Sequence, residues 1–451
     1  MPAPGRNPNP NPHLKPEYTE FNMILSVRHS QINGETAVPG SKSHTIRALA
    51  IASLAKGPSI IKAPLVSDDT LSCLSAACAL GAWVRRGDDS LWQVIGTGGR
   101  MIEPARPLDM GNSGTGLRIF SALAALSGSP ISFGGDESLQ KRPMEPLLAA
   151  LNDLGAKTES AAGGHCPLTV TGPIRGGETS VDGTSSQYLS ALLLAAPLAQ
   201  GDTILNVPFL NEIPYVEMTL AWLKRQNINL KYNKNYTRFH VIGGQQFKPF
   251  NETIPADFST AAFPLAAAVV TGGGVLIRNL DFNDPQGDKA FVELARRMGA
   301  KIETGAGFAR VKPGPVKLHS AELDLNSTPD LLPILSVVAA CADGITVLKN
   351  VAQARLKETD RIAVMAHELR KMGIQVEEFE DGMAITGGKL KPAHVDSFRD
   401  HRVAMSLAIA GMTCGADEKE PTVIDSAESI AVTYPTFVDD FARLGADFYV
   451  V

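Results

Sequence analysis

Lys42, Arg47, Arg118, His401 and Arg402 stand at or just inside the starts of apolar helical runs. Six such starts read PGSKSHTIR (39–47), GNSGTGLR (111–118), GTSSQYL (183–189), ADFSTAAF (256–263), STPDLLP (327–333) and RDHRVAM (399–405). A helix N-terminus already carries partial positive charge, so a cation there is unfavourable unless both face a shared anion. The Ser, Asp and Asn of the same segments suit ordinary N-capping, but capping has no use for the basic residues. QKRPMEPLL (140–148) places Arg142 just before Pro143 and a further helix. RLKETDRIAVM (355–365) gathers Arg355, Lys357, Glu358, Asp360 and Arg361 within seven positions. A mixed-charge helix end is usually a solvated surface. Five sister segments of the chain lack such a run at the same place, so here it points to chemistry. That chemistry is the binding of phosphorylated anions.

Other sites are excluded. GNSGTG has the order G-x-x-G-x-G rather than that of a dinucleotide fingerprint, and PGSKS lacks the spacing of a nucleotide P-loop. No G-x-S-x-G elbow is present. The five cysteines (Cys73, Cys78, Cys166, Cys341, Cys414) form no CxxC pair or zinc spacing, so no metal is expected and a reducing, cytoplasmic setting is. A net charge of −5 and 6% aromatics argue against nucleic acid. No apolar run is long enough to span a membrane. Residues 1–22, rich in Pro and Asn, read as a flexible tail.

The elements that must position these residues repeat. Segments such as LLAALNDLGAKTE, FVELARRMGAKIE and MAHELRKMGIQVE each read as an amphipathic helix, a Gly and a strand. The Gly falls at 81, 155, 299, 373 and 445, with Asn227 in the third place, at steps of 74, 72, 72, 74 and 72 residues. Asn is the usual second choice at a left-handed helix end. A second series of Ala- and Leu-rich helices ends near Gly57, Gly128, Gly201, Gly273, Gly344 and Gly415, each followed by a β-rich segment. Two series of one period define six β-α-β-α-β-β units. The helices of the first series carry charge on one face and belong at the surface. Those of the second are apolar nearly all round and belong inside. At 451 residues the chain exceeds one ordinary core, which predicts two domains of three units.

The segments PGSKSHTIRAL, GNSGTGLR, KRPM, GTSSQYLSALL, STPDLLPILSVVAA, RLKETDRI and DHRVAM, in this order from residue 39 to about 435, resemble the 5-enolpyruvylshikimate-3-phosphate synthase family. The resemblance implies a two-domain inside-out α/β barrel. It also implies transfer of the enolpyruvyl group of phosphoenolpyruvate to the 5-hydroxyl of shikimate 3-phosphate, with release of phosphate and no cofactor. By position it implies that Lys42, Ser43, Arg47, Ser185, Ser186, Gln187, Asp330 and Lys357 contact shikimate 3-phosphate. Lys42, Gly114, Arg142, Gln187, Arg361 and Arg402 would contact phosphoenolpyruvate. Asp330, Glu358 and Lys42 would be catalytic, with Asp330 acting on the reacting hydroxyl and Glu358 on the enol carbon. The chain would cross between domains just before Lys42 and just before Asp257. The domains would then be 23–41 plus 255–451 and 42–254, in a monomer that closes on its substrates.

Two positions depart from the family pattern. Val432 stands where a Lys commonly contacts phosphoenolpyruvate, and Glu212 (EIPY) where Ser is common. A Glu beside a phosphate pocket is unfavourable, which predicts that Glu212 turns away. Two rival readings are a transferase acting on UDP-N-acetylglucosamine and a non-catalytic repeat scaffold. The first typically carries a reactive loop Cys, and none of the five stands in one. The second has no need of Asp330, Glu358 and the basic helix starts.

Overall fold

The computed structural model describes residues 23–87 and 90–451. The proposed tail, 1–22, lies outside them.

Among the described residues the strands form six four-stranded sheets of one pattern. In the sheet built on Glu322–Asp324, that strand runs parallel to Ile345–Lys349, which is antiparallel to Gly382–Thr386, which is antiparallel to Gln375–Phe379. The helix Leu332–Ala340 joins the first two strands and Arg361–Lys371 leads to the hairpin, which is the β-α-β-α-β-β unit in full. The left-handed helix ends are all present. Gly81, Gly155, Gly299, Gly373 and Gly445 have φ between +87° and +107°, and Asn227 has +57°. The second series is less uniform: Gly57 and Gly344 have positive φ, whereas beside Gly273 it is Gly272 that does.

The second-series helices are Lys42–Leu54, Gly114–Ala124, Ser186–Ala195, Phe258–Thr271, Leu332–Ala340 and His401–Met412. They are buried along almost their whole length, including every residue of Leu332–Ala340 and His401–Met412. With apolar or small residues on all sides they have no face to give to water, so the sheets surround them. First-series helices such as Arg361–Lys371 bury one face only. Two hydrophobic clusters result. One draws on residues 25–38 and 256–446, the other on 46–254.

The clusters are tied by an exchange of strands. Asn33–Ala37 pairs with Gly274–Leu280, far along the chain, while Asn251–Thr253 pairs with Pro58–Lys62. The two connections run side by side: Ser41 N–H donates to Pro255 at 2.8 Å, and Asp257 N–H to Pro39 at 3.0 Å. A Cβ at Gly40 would stand 2.3 Å from the Ala63 carbonyl oxygen, so only glycine allows this close passage. The sixth sheet is completed by the first strand of the described chain, Leu25–Val27, between Thr422–Asp425 and Phe448–Val450.

Asn227→Ala should lower stability by about 1 kcal/mol, because a Cβ without a local hydrogen-bonding group is disfavoured at this φ, while Asn227→Gly should be nearly neutral. Denaturant unfolding of both variants checks this.

Candidate active site

The starts of all six buried helices face one cavity. Its lining takes Lys42 and Ser43, Thr115, Ser186 and Gln187, Asp257 and Ser259, Asp330, and His401 and Arg402. Local sequence sets each start. Asp400 accepts from the N–H of Arg402 at 2.8 Å, Ser113 from Gly116 at 3.2 Å and Ser185 from Gln187 at 3.3 Å. Asp257 serves two helices, accepting from Thr260 N–H at 3.0 Å through one oxygen and from Lys42 N–H at 3.2 Å through the other. Asp330 lies in the short 3-10 turn Pro329–Leu331 that enters its helix. The partial positive charges of six helix ends therefore add at one place.

Most of the cations are held by carboxylates. Arg361, 1% exposed, reaches Asp330 and Asp400 at 2.7 Å each and Glu358 at 2.8 Å. Arg402 reaches the other oxygen of Asp330 at 2.9 Å, and Tyr215 donates its hydroxyl to that same oxygen at 2.9 Å. Lys42 pairs with Asp69 at 3.0 Å, and Arg142 lies 3.9 Å from Glu358. Arg47 and Arg118 pair with no carboxylate among the described residues. Arg47 donates to Thr219, Ser190 and the carbonyls of Ser43 and Tyr215. Arg118 donates to Gln187 at 2.9 Å and to the Pro143 carbonyl, and lies over the Tyr188 ring. Such buried cations retain capacity for an anion.

Charge and burial set the ionisation of the carboxyls. Burial alone would raise Asp330, but Arg402, Lys357 and Arg361 outweigh it and hold it far below the carboxylate range. Burial likewise opposes Glu358, and Arg361 and Arg142 overcome it. Asp288 has no such cation in contact. Burial and the Asp330 charge push it up to about 7, with Ser259 donating to one of its oxygens. Burial and the charge of Lys42 push His401 well below its usual range, and its buried Nε2 has no hydrogen-bond partner among the described residues.

The residues proposed from sequence come together. Lys42, Ser43, Arg47, Ser186, Gln187, Asp330, Lys357, Glu358, Arg361 and Arg402 line the main cavity. Ser185 lines a smaller adjoining one with Gln187, Arg118 and Lys357. Gly114 and Arg142 stand just behind. A Cβ at Gly114 would come within 2.8 Å of Arg142 Nη1 and 2.9 Å of Arg118 Nη1. Val432, half-buried at the end of the turn Ala427–Val432, is not in the lining.

Glu212 overturns its expectation. It does not turn away; it is 1% exposed and points into the site. Lys357 donates to one oxygen and Ser186 to the other, so an ion pair offsets the burial of its charge. Tyr215 and Asp288 were also not foreseen from sequence. EIPYV and PQGDKA carry no spacing that sets them apart, and only the folded chain brings them to Asp330.

The cleft thus belongs to an enzyme that handles small, multiply charged anions between two halves of an inside-out α/β barrel. Sequence relationships are specific. The EPSP synthase (3-phosphoshikimate 1-carboxyvinyltransferase) profile matches residues 27–441. A protein of that name from Acetivibrio thermocellus is 45% identical over 427 residues, covering 94% of this chain and 99% of its own. One from Methanocella arvoryzae is 43% identical over 429 residues, again 94% and 99% of the two chains. The solved EPSP synthase of Acinetobacter baumannii superposes with a TM-score of 0.80 at 30% identity, covering 95% of this chain and all of that one. The chain belongs to the EPSP synthase family.

Replacing Arg361 by Met would leave buried Asp400 without its ion-pair partner and take one cation each from Asp330 and Glu358, and should cost about 3–5 kcal/mol of stability. Because Asp330 and Glu358 titrate lower in the folded chain than unfolded, their contribution is present above the unfolded carboxylate pKa of about 4. It is lost as pH falls through the folded values. The gap between wild type and R361M in unfolding experiments should therefore narrow in acid.

Proposed function

We propose that the chain transfers the enolpyruvyl group of phosphoenolpyruvate to the 5-hydroxyl of shikimate 3-phosphate and releases phosphate, in keeping with relatives named 3-phosphoshikimate 1-carboxyvinyltransferase. The observation that carries this is the meeting of Lys42, Arg142, Asp330, Glu358, Arg361 and Arg402 around one cavity at six helix starts. Guanidinium forks match carboxylate and phosphate geometry, so Arg142, Arg361 and Arg402 suit phosphoenolpyruvate, with Lys42 and Gln187 beside them. Gly114 leaves room for the guanidinium groups behind it. Ser43, Arg47, Ser185, Ser186, Asp330 and Lys357 receive shikimate 3-phosphate, with Lys42 between the two substrates.

Asp330, kept ionised by three cations, takes the proton of the 5-hydroxyl as its oxygen attacks C2 of the enol. Glu358 supplies the proton that C3 gains. It can do so once the carboxylate and phosphate of the substrate take over Arg361 and Arg142, since losing those partners lets burial raise its pKa. The tetrahedral adduct then expels phosphate, which carries away the proton taken up by Asp330, while C3 returns a proton to Glu358, restoring the enol ether.

The halves 23–41 plus 255–451 and 42–254 are proposed to act as two domains that part to admit substrate. Support comes from the pairs that span the cleft, Arg142 with Glu358 and Tyr215 with Asp330, and from a cavity of only about 60 Å³. Small-molecule sites usually offer about 300 Å³ or more. Cytoplasmic action is proposed on the five free cysteines, and a monomer is proposed with it; among the described residues no helix is long and apolar enough to cross a membrane.

Phosphate release from phosphoenolpyruvate should require shikimate 3-phosphate; release that depends instead on UDP-N-acetylglucosamine, or none with either acceptor, would refute the assignment. Asp330→Asn and Glu358→Gln should each lower kcat by roughly 10²-fold or more, with smaller changes in KM. Gly114→Ala, which crowds Arg142 and Arg118, should raise the KM for phosphoenolpyruvate by about tenfold, and steady-state kinetics checks all three.

A further inference from the structure

The donors at the start of the helix Ser186–Ala195 are already engaged by an anion of the protein itself. Glu212 Oε2 accepts from the Ser186 N–H at 3.2 Å and from its hydroxyl at 2.7 Å. Oε1 accepts from the Lys357 ammonium, which comes from the opposite half of the fold. A carboxylate at a helix N-terminus, bound by a backbone N–H, a hydroxyl and an ammonium, has the contacts a phosphate would have there. Burial makes the arrangement firm, since Glu212 is 1% exposed and the Lys357 side chain 13%. Burial would lower the pKa of Lys357, but the charges of Glu212 and Asp330 outweigh it and raise it. With Glu212 gone, the nearest carboxylate to Lys357 is Asp330 at 4.0 Å, itself held by Arg361 and Arg402.

We infer that Glu212 is a specificity-determining residue that occupies the phosphate cradle of the acceptor site, so that the phosphate of the acceptor must displace it. This rests on the proposed reaction for the identity of the acceptor, but not for the existence of the cradle. Two anions cannot share the Ser186 and Lys357 donors without strong repulsion. Binding a phosphorylated acceptor therefore includes breaking the Glu212–Lys357 pair and moving a buried carboxylate aside. The chain thus gains less from the phosphate of its acceptor than the same cradle would with a small neutral residue. The backbone supports this placement: Glu212 has φ +57° and precedes the helix Ile213–Arg225, a conformation that aims its side chain back at Ser186.

The test compares wild type with E212S, which empties the cradle, and E212Q, which keeps its size but removes the charge. Both variants should lower the KM for shikimate 3-phosphate, E212S by at least tenfold, while the KM for phosphoenolpyruvate stays within about twofold. The preference for shikimate 3-phosphate over unphosphorylated shikimate, as a ratio of kcat/KM, should rise by a similar factor. An unchanged or higher KM for shikimate 3-phosphate in both folded variants, judged by circular dichroism, would overturn the inference. If wild type does not turn over shikimate 3-phosphate, the proposed reaction fails, and titration calorimetry with inorganic phosphate still decides about the cradle. E212S should bind inorganic phosphate at least tenfold more tightly than wild type, and equal affinity would refute it.

Discussion

Six helix N-termini aimed at one cleft concentrate positive potential, and every other feature of the centre answers to that. Each helix end leaves backbone N–H groups without internal partners. Here Ser113, Ser185, Asp257 and Asp400 take some of them, and Glu212 and Gln286 take the N–H groups of Ser186 and Phe258. Adding Lys42, Arg361 and Arg402 to such a centre is tolerable only with negative charge close by. Asp69, Asp330, Glu358 and Asp400 provide it from the chain itself. The site is thus a set of ion pairs, and the proposed reaction has an incoming anion exchange with a carboxylate.

That exchange links binding to reactivity. A carboxylate released from an arginine by a substrate anion is left in a buried setting that favours its protonated form. Glu358 has this position, between Arg361 and Arg142, whereas Asp330 keeps Arg402 and Lys357 in addition. Both carboxyls are held ionised in this structure, and in the proposed reaction only Glu358 would lose its cationic neighbours. Asp288, where burial and the Asp330 charge outweigh the pull of Arg402, is raised instead.

The fold was legible because its units repeat. The left-handed helix end recurs at Gly81, Gly155, Asn227, Gly299, Gly373 and Gly445, and a residue that must accept positive φ is a local requirement written into one position. The burial of helices such as Leu332–Ala340 follows from the lack of any polar face. The cations at helix starts were legible for a similar reason, since they violate a local electrostatic rule. Glu212 was misjudged on the same reasoning. A local rule sets its charge against a phosphate pocket, while its stability depends on Lys357, 145 positions away in the chain. Tyr215 at Asp330, 115 positions off, was hidden for the same reason.

By itself the sequence determined the period, the two kinds of helix, the places where each begins and ends, and the gathering of cations at helix starts. These depend on φ preferences, apolar periodicity and helix-end electrostatics, all of which act within a few residues. Tertiary structure decided the strand exchange that seats Asn33–Ala37 beside Gly274–Leu280, the completion of the sixth sheet by Leu25–Val27, and the pairing of each cation with its carboxylate. Those depend on which surfaces meet across the cleft. A charge is written in one residue, but its partner is set by the packing of all six units.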